Sequence, residues 1–251
     1  YFDLRFSNLC NMMCRTCSPV FSSMWYDDFV KAYGEVPKSV VPKKFLNLSD
    51  KKNFMEQLWP LMNDVKECYW AGGEPLINDE HYQILQILLD AKRTDVEISY
   101  NTNFSILQFK KYNVLDYWKH FKKIKINASI DAYGDLNRYI RYPTNWKLVQ
   151  KNIENFHRME REGNYRVQVH TTVQMYNALN ITELFDYLKD YNYFPYLNIL
   201  NHPDYLNIRT LTPELKKEAF QRINAWTMNN QAWIDNNEHD ISKLEGVIDY
   251  M

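Results

Sequence analysis

The sequence predicts an α/β fold: an open six-stranded parallel (β/α)6 partial TIM barrel followed by a helical C-terminal extension. Three observations lead there. Short apolar segments rich in β-branched and aromatic residues alternate with amphipathic stretches, as strands and covering helices do. The alternation recurs about six times, and repeated strand–helix–strand units imply parallel pairing through right-handed crossovers. After about residue 201 the strand pattern fades into helical periodicity. Six units fall short of the eight that close a barrel. A flat doubly wound sheet is the alternative with the same alternation.

The elements follow in order. "YFDLRF" (1–6) reads as the first strand. Residues 18–65 are long for one crossover and are expected to hold a helix, an insertion with Pro37 and Pro42, and a second helix. "KECYWA" (66–71), "VEISYN" (96–101), "KIKINASI" (123–130), "YRVQVHTTV" (165–173) and "YLNIL" (196–200) read as further strands. Between them, "DEHYQILQILLDAK" (79–92) sets Ile84, Leu85, Leu88 and Leu89 on one side of a helix. The stretch 145–163 places Leu148, Ile153 and Phe156 near helical spacing and stops at Gly163. "NITELFDYLKD" (180–190) opens with Asn180 and Glu183, close to a capping box. Thr212 and Pro213 suit the N-cap and first position of a helix over 212–226. The expected domains are a barrel over 1–201 and a mostly helical extension over 202–251.

Composition narrows the function. The 251 residues include 30 Lys+Arg and 31 Asp+Glu, so the basic excess of a duplex-DNA binder is missing and there is no strong nucleic-acid signal. No apolar stretch reaches membrane-spanning length, and no signal peptide is visible. The chain opens on Tyr1 rather than Met, so the natural protein is expected to extend further at that end. Aromatic residues are abundant, with 19 Tyr, 13 Phe and 7 Trp, and suit a rigid aromatic-lined globule. Three of the four cysteines fall within residues 10–17, which points to an intracellular, metal-binding protein in the cytoplasm rather than a disulfide scaffold.

That triplet is Cys10, Cys14 and Cys17, spaced C-x3-C-x2-C just after the first strand. Three thiolates leave a tetrahedral zinc site one ligand short. Cys68, with His81 behind it, is the candidate fourth ligand, but Cys68 falls in a strand pattern where a free cysteine is usually a small buried hydrophobe. A [4Fe–4S] cluster makes better sense of three, since one iron then stays open to a substrate or cofactor. A loop at the C-terminal end of a barrel strand is also where such folds carry their sites. One strand later comes "WAGGEPLI" (70–77), in which Gly72 and Gly73 let backbone approach a ligand and Glu74 adds a carboxylate. Alone, that run could be a plain turn.

Together, Cys10, Cys14, Cys17 and Gly72-Gly73-Glu74-Pro75 resemble the two signatures of radical S-adenosylmethionine (SAM) enzymes, and the resemblance runs along roughly residues 1–200. "YNTNF" (100–104) is similar to the family's Thr-Asn-Gly after the third strand, with Phe104 in place of glycine. "ASIDAY" (128–133) looks like its Ser-x-Asp, and Arg141 stands where peptide-modifying members have a SAM-contacting arginine. Residues 171–184 resemble the fifth-strand segment. The resemblance implies a [4Fe–4S] cluster on the three cysteines and SAM bound at its open iron. It implies that Gly72, Gly73 and Glu74 receive the methionine amino group, and that Ser129 and Arg141 hold the carboxylate or ribose. Thr102, Asn103 and Asp131 join that cofactor-binding set. One-electron reduction, from a donor such as flavodoxin or ferredoxin, would cleave SAM to methionine and a 5′-deoxyadenosyl radical that takes hydrogen from substrate. Thr16 departs from the family, which usually has an aromatic residue before the third cysteine.

Plainer roles stand beside these. Ser129 and Asp131 could be a strand end meeting solvent, Arg141 a salt-bridge partner, and Thr102 with Asn103 a helix cap. Asn177 and Asn180 read as loop and cap residues, and Cys68 as core. The branch resembled is the twitch- or SPASM-like, peptide-modifying one, without its auxiliary-cluster cysteines, since none follows Cys68. Three functions remain open: a one-cluster enzyme acting on a peptide or protein, a radical SAM enzyme acting on a nucleotide or other small molecule, and a zinc or iron–sulfur protein without turnover.

Overall fold

A computed structural model describes residues 1–36, 44–47, 53–237, 239 and 241–251. Six strands, β1 (Phe2–Leu4), β2 (Glu67–Trp70), β3 (Glu97–Thr102), β4 (Ile124–Ser129), β5 (Tyr165–Val173) and β6 (Tyr196–Ile199), form one sheet in that order. The register carries Phe2 against Cys68, Cys68 against Ile98, and Ile98 against Ile124, all in parallel pairs. Strands that neighbour in space as they do in sequence argue for the partial barrel, because a doubly wound sheet reverses its order at a switch point. Along β5 the period-2 alternation is kept: Val167, Val169, Thr171 and Val173 are buried while Arg166 and Gln168 are exposed.

Helices α1 (Trp25–Tyr33) and α2 (Phe54–Met62) occupy the long first crossover, as expected; Pro37 and Pro42 lie outside the described residues. Helix α3 (Asp79–Asp90) is capped by Asn78, whose side chain accepts from Glu80 N, and it buries Ile84, Leu85 and Leu88 while Leu89 is half-buried. After the short α4 (Val114–Trp118) and α5 (Gly134–Ile140), helix α6 (Trp146–Glu162) corrects one expected face. Leu148 is 39% exposed, and the inward positions are Val149, Asn152, Ile153 and Phe156, one residue round from the expected register. Helix α7 (Ile181–Lys189) lacks the capping box: the Asn180 side chain donates 2.7 Å to Glu183 Oε1 instead of capping the backbone. Helix α8 (Pro213–Asn236) begins as expected, with Thr212 Oγ1 accepting from Leu215 N, and α9 (Ser242–Tyr250) follows.

Two compact units emerge from the chain, residues 1–128 with 147–167 and residues 129–146 with 168–251. The first has an aromatic core. Trp118 Nε1 donates 3.0 Å to the Tyr100 hydroxyl, which lies 2.7 Å from His81 Nε2, and Trp70 meets the His81 ring edge-on at 4.7 Å. The second unit gathers Val173, Phe185 and Leu197 with Ile223 and Trp226 of α8 and Leu244 and Val247 of α9 into one apolar cluster. The C-terminal helices therefore share a core with the last strands rather than build their own. Among the described residues, no helix is long and apolar enough to cross a membrane.

Candidate functional site

The cysteine segment follows β1 and is tied from within. Ser22 Oγ donates 2.6 Å to Met12 O, Trp25 Nε1 donates 2.9 Å to Cys14 O, and Cys17 N closes a turn on Cys14 O at 2.9 Å. Asn8, almost fully buried, anchors the start: its amide donates to Pro19 O and Lys44 O and its carbonyl accepts from Leu46 N. Cys14 is buried and Cys10 and Cys17 are half-buried, all as thiols rather than in disulfides.

The Gly-Gly-Glu run packs directly on this segment. Gly73 has φ +56, and a Cβ there would lie 2.1 Å from Leu9 O, so what comes close at this glycine is the cysteine segment's own backbone. Glu74 N donates 2.7 Å to the same Leu9 O. The Glu74 side chain is 1% exposed and its carboxylate is well supplied with donors. Oε1 accepts from Thr102 Oγ1 at 2.7 Å and Leu76 N at 3.2 Å, and Oε2 accepts from Asn103 N at 2.7 Å. Thr102 and Asn103, at the end of β3, are thus locked to Glu74 and do not cap the next helix, whose cap is Asn113. Asn103 Nδ2 also reaches Asn11 Oδ1 at 2.7 Å, and Asn11 Nδ2 donates 3.1 Å to Ser105 Oγ. Phe104 keeps the left-handed backbone (φ 60) that glycine would hold without strain, and its ring is buried against Phe156 at 5.1 Å.

In the second unit, Ser129 is half-buried at the end of β4 and Asp131 is 1% exposed. Asp131 Oδ2 accepts from Arg141 at 2.9 Å and Oδ1 accepts from Thr172 N at 2.8 Å. Asp131 therefore orients the Arg141 guanidinium rather than meeting solvent. Asn177 completes the frame: its Oδ1 accepts from Gln174 N, and its Nδ2 donates to Asp131 O and Thr172 O.

The donor sets fit the expected groups. Three soft thiols on one eight-residue segment suit an iron–sulfur cluster, whose cube spaces its ligands more widely than a single ion does. Among the described residues no group of three or more His, Cys, Asp or Glu side chains is gathered as a metal-ion site. The suggested fourth zinc ligands are committed elsewhere. Cys68 is fully buried in β2 and burial pushes its thiol up to about 12, while burial pulls His81 down to about 3 beside Tyr100. For SAM, the guanidinium steered by Asp131 suits a carboxylate.

Sequence reasoning missed Asn8, Asn11 and Ser105, which stitch the loops, and Gln174. The polar residues crowding "NLCN" were the one available signal for the first two.

Comparison with known proteins bears on the family and the fold. A family model described as the Radical SAM superfamily matches residues 4–176, and the chain belongs to that superfamily. Its members use a [4Fe–4S] cluster and SAM. The solved structure of native anSMEcpe with bound AdoMet superposes with a TM-score of 0.56 at 16% identity, covering 94% of this chain and 62% of that one. Streptococcus suis SuiB bound to precursor peptide SuiA gives 0.55 at 15% identity, covering 95% and 46%. Native anSMEcpe with bound AdoMet and Cp18Cys peptide gives 0.55 at 14%, covering 94% and 60%. At these identities the likeness is one of fold, and the chain spans less than two thirds of each. A comparison with curated proteins gave no match.

Proposed function

We propose that this chain is a one-cluster radical SAM enzyme that abstracts a hydrogen from a peptide or protein substrate. When bound, the cluster supplies the electron that cleaves SAM to methionine and a 5′-deoxyadenosyl radical. The chain's own residues position the reactants. Cys10, Cys14 and Cys17 would hold the cluster, with Trp25 and Ser22 fixing their backbone. The Gly72–Glu74 backbone, pinned on Leu9, would meet the methionine amino group, and Thr102 and Asn103 are set beside it by Glu74. Arg141, aimed by Asp131, would take the carboxylate or ribose, with Ser129 as its neighbour in that role. One observation carries the reading: the three-thiol segment and the Gly-Gly-Glu turn are built as one interlocked piece through Leu9 O.

The peptide class rests on the resemblance to peptide-modifying members and on the fold shared with SuiB and anSMEcpe. A barrel over 1–201 with a helical extension over 202–251, a cytoplasmic setting, and a flavodoxin- or ferredoxin-like electron donor belong to the same reading. The test is anaerobic reconstitution. Protein holding about four irons per chain should release 5′-deoxyadenosine from SAM with dithionite, and Cys14→Ala should abolish both. Stoichiometric zinc with no SAM binding would overturn the proposal.

A further inference from the structure

Tyr100, in β3, keeps its hydroxyl in the fully buried aromatic core of the first unit. That hydroxyl lies 2.7 Å from His81 Nε2 and accepts from Trp118 Nε1 at 3.0 Å. An indole N–H only donates, so the hydroxyl's own hydrogen is left for the imidazole, its one other partner among the described residues. His81 Nε2 is therefore the acceptor. The ring hydrogen sits on Nδ1, which has no hydrogen-bond partner among the described residues. The rings of Trp70 and Tyr82 stand crosswise to His81 at 4.7 and 4.6 Å. Packing explains the rings but not a base among them. Burial holds this imidazole neutral, down to about 3, and one of its nitrogens is left unpaired.

Oxidation of a phenol is coupled to its proton. Burial pushes the Tyr100 hydroxyl well above its ordinary 10, so no phenolate forms first. A phenol that loses an electron becomes a far stronger acid than imidazolium. The neutral base at 2.7 Å then takes the proton along the existing hydrogen bond. What results is a neutral phenoxyl radical beside an imidazolium set among aromatic rings, which favour a cation. Tyr82 is the contrast: its hydroxyl donates 2.8 Å to Leu76 O, a carbonyl too weak as a base to keep the proton. Tyr82 also stacks on the half-buried Tyr112 at 4.5 Å, which gives the electron a ring-to-ring route outward.

We propose that Tyr100 and His81 form a proton-coupled redox pair that takes up the oxidising equivalent of stray radicals. The superfamily's 5′-deoxyadenosyl radical is a source of carbon radicals, and a carbon radical that meets dioxygen becomes a peroxyl radical. The peroxyl radical gains one electron from the protein and one proton from solvent to become a hydroperoxide. Tyr100 loses that electron, its O–H bond breaks, and the proton passes to His81 Nε2. A one-electron reductant such as dithionite, with the returning proton, restores the phenol. The pair lies wholly in the first unit, and nothing in it depends on the proposed peptide substrate.

Flash oxidation of the cluster-loaded protein under argon, with photogenerated tris(bipyridine)ruthenium(III) as the oxidant, tests the pair. Electron paramagnetic resonance at liquid-nitrogen temperature, where iron–sulfur signals broaden away, reads the radical. The wild type should hold a tyrosyl radical that outlives those of surface tyrosines, and Tyr100→Phe should lose it. His81→Gln keeps an acceptor for the hydroxyl but is no base, and should form the persistent radical about a hundredfold less. No persistent radical in the wild type, the same radical in Tyr100→Phe, or wild-type yield in His81→Gln would each overturn the proposal. Should neither variant fold, high-field resonance on the wild type decides. A single sharp shift, the mark of a phenoxyl facing one charged hydrogen-bond donor, is expected. The broad spread of water-exposed phenoxyls would overturn the pair.

Discussion

Glu74 and Gln174 are both polar, both buried and both placed after a sheet strand, yet their surroundings are opposite. Each Glu74 oxygen is met by donors from Thr102, Asn103 or Leu76. The Gln174 amide meets none among the described residues. Burial alone therefore does not tell whether a polar side chain is satisfied. Glu74 is a junction that joins the cysteine and Gly-Gly-Glu segments to the end of β3, and its presence is explained by the folded chain itself. Gln174 is left with capacity that the folded chain does not use, and it stands in the frame that aims Arg141. The glycine beside Glu74 teaches the same lesson: Gly73 is small because Leu9 O passes there.

The sharpest way to break the comparison is Glu74→Leu. It would leave the Thr102 hydroxyl and the Asn103 and Leu76 amides unpaired, and we expect a loss of about 3–5 kcal/mol in urea unfolding. A loss below about 1 kcal/mol would erase the contrast with Gln174, where the matching apolar change should cost nothing. Next comes Phe104→Gly. It relieves about 1 kcal/mol of left-handed backbone strain but forfeits about 3–5 kcal/mol of aromatic burial against Phe156. A net loss of about 2–4 kcal/mol by thermal melting is expected; a gain would show that the ring is not what holds this turn.

A third prediction concerns the core under the site. Burial lowers the His81 folded pKa to about 3 from 6.5. The neutral ring is therefore stable above pH 6.5. As pH falls from 6.5 toward 3, the unfolded chain takes up a proton that the folded chain refuses, and stability drops by up to about 1.4 kcal/mol per pH unit. Unfolding curves at successive pH values should show this slope and lose much of it in His81→Gln. Smallest is Asp131→Asn. It keeps an acceptor for Thr172 N but removes the charge that orients Arg141, so SAM affinity should fall about fivefold, near 1 kcal/mol, with iron content unchanged. Unaltered affinity would detach Arg141 from the SAM site.

Much of the fold was legible in the sequence because its signals are local. The strand segments showed in runs of β-branched and aromatic residues, Thr212-Pro213 marked a helix start, and the C-x3-C-x2-C spacing of Cys10, Cys14 and Cys17 needs only one loop to be meaningful. Errors arose where neighbours along the chain were a poor guide. Leu148 lost the inward face to Val149, and Asn180 found Glu183 before it found the backbone. The roles of the site residues depended on partners far along the chain: Thr102 lies 28 residues from Glu74, and Asp131 lies 46 from Asn177. Propensity and periodicity are properties of a few adjacent residues, so the sequence by itself determined the strands, the helices and the thiol trio. Whether a buried polar atom is satisfied depends on which distant donor folds against it, so only the tertiary structure decided that Glu74 is framework and that Gln174 is left unpaired.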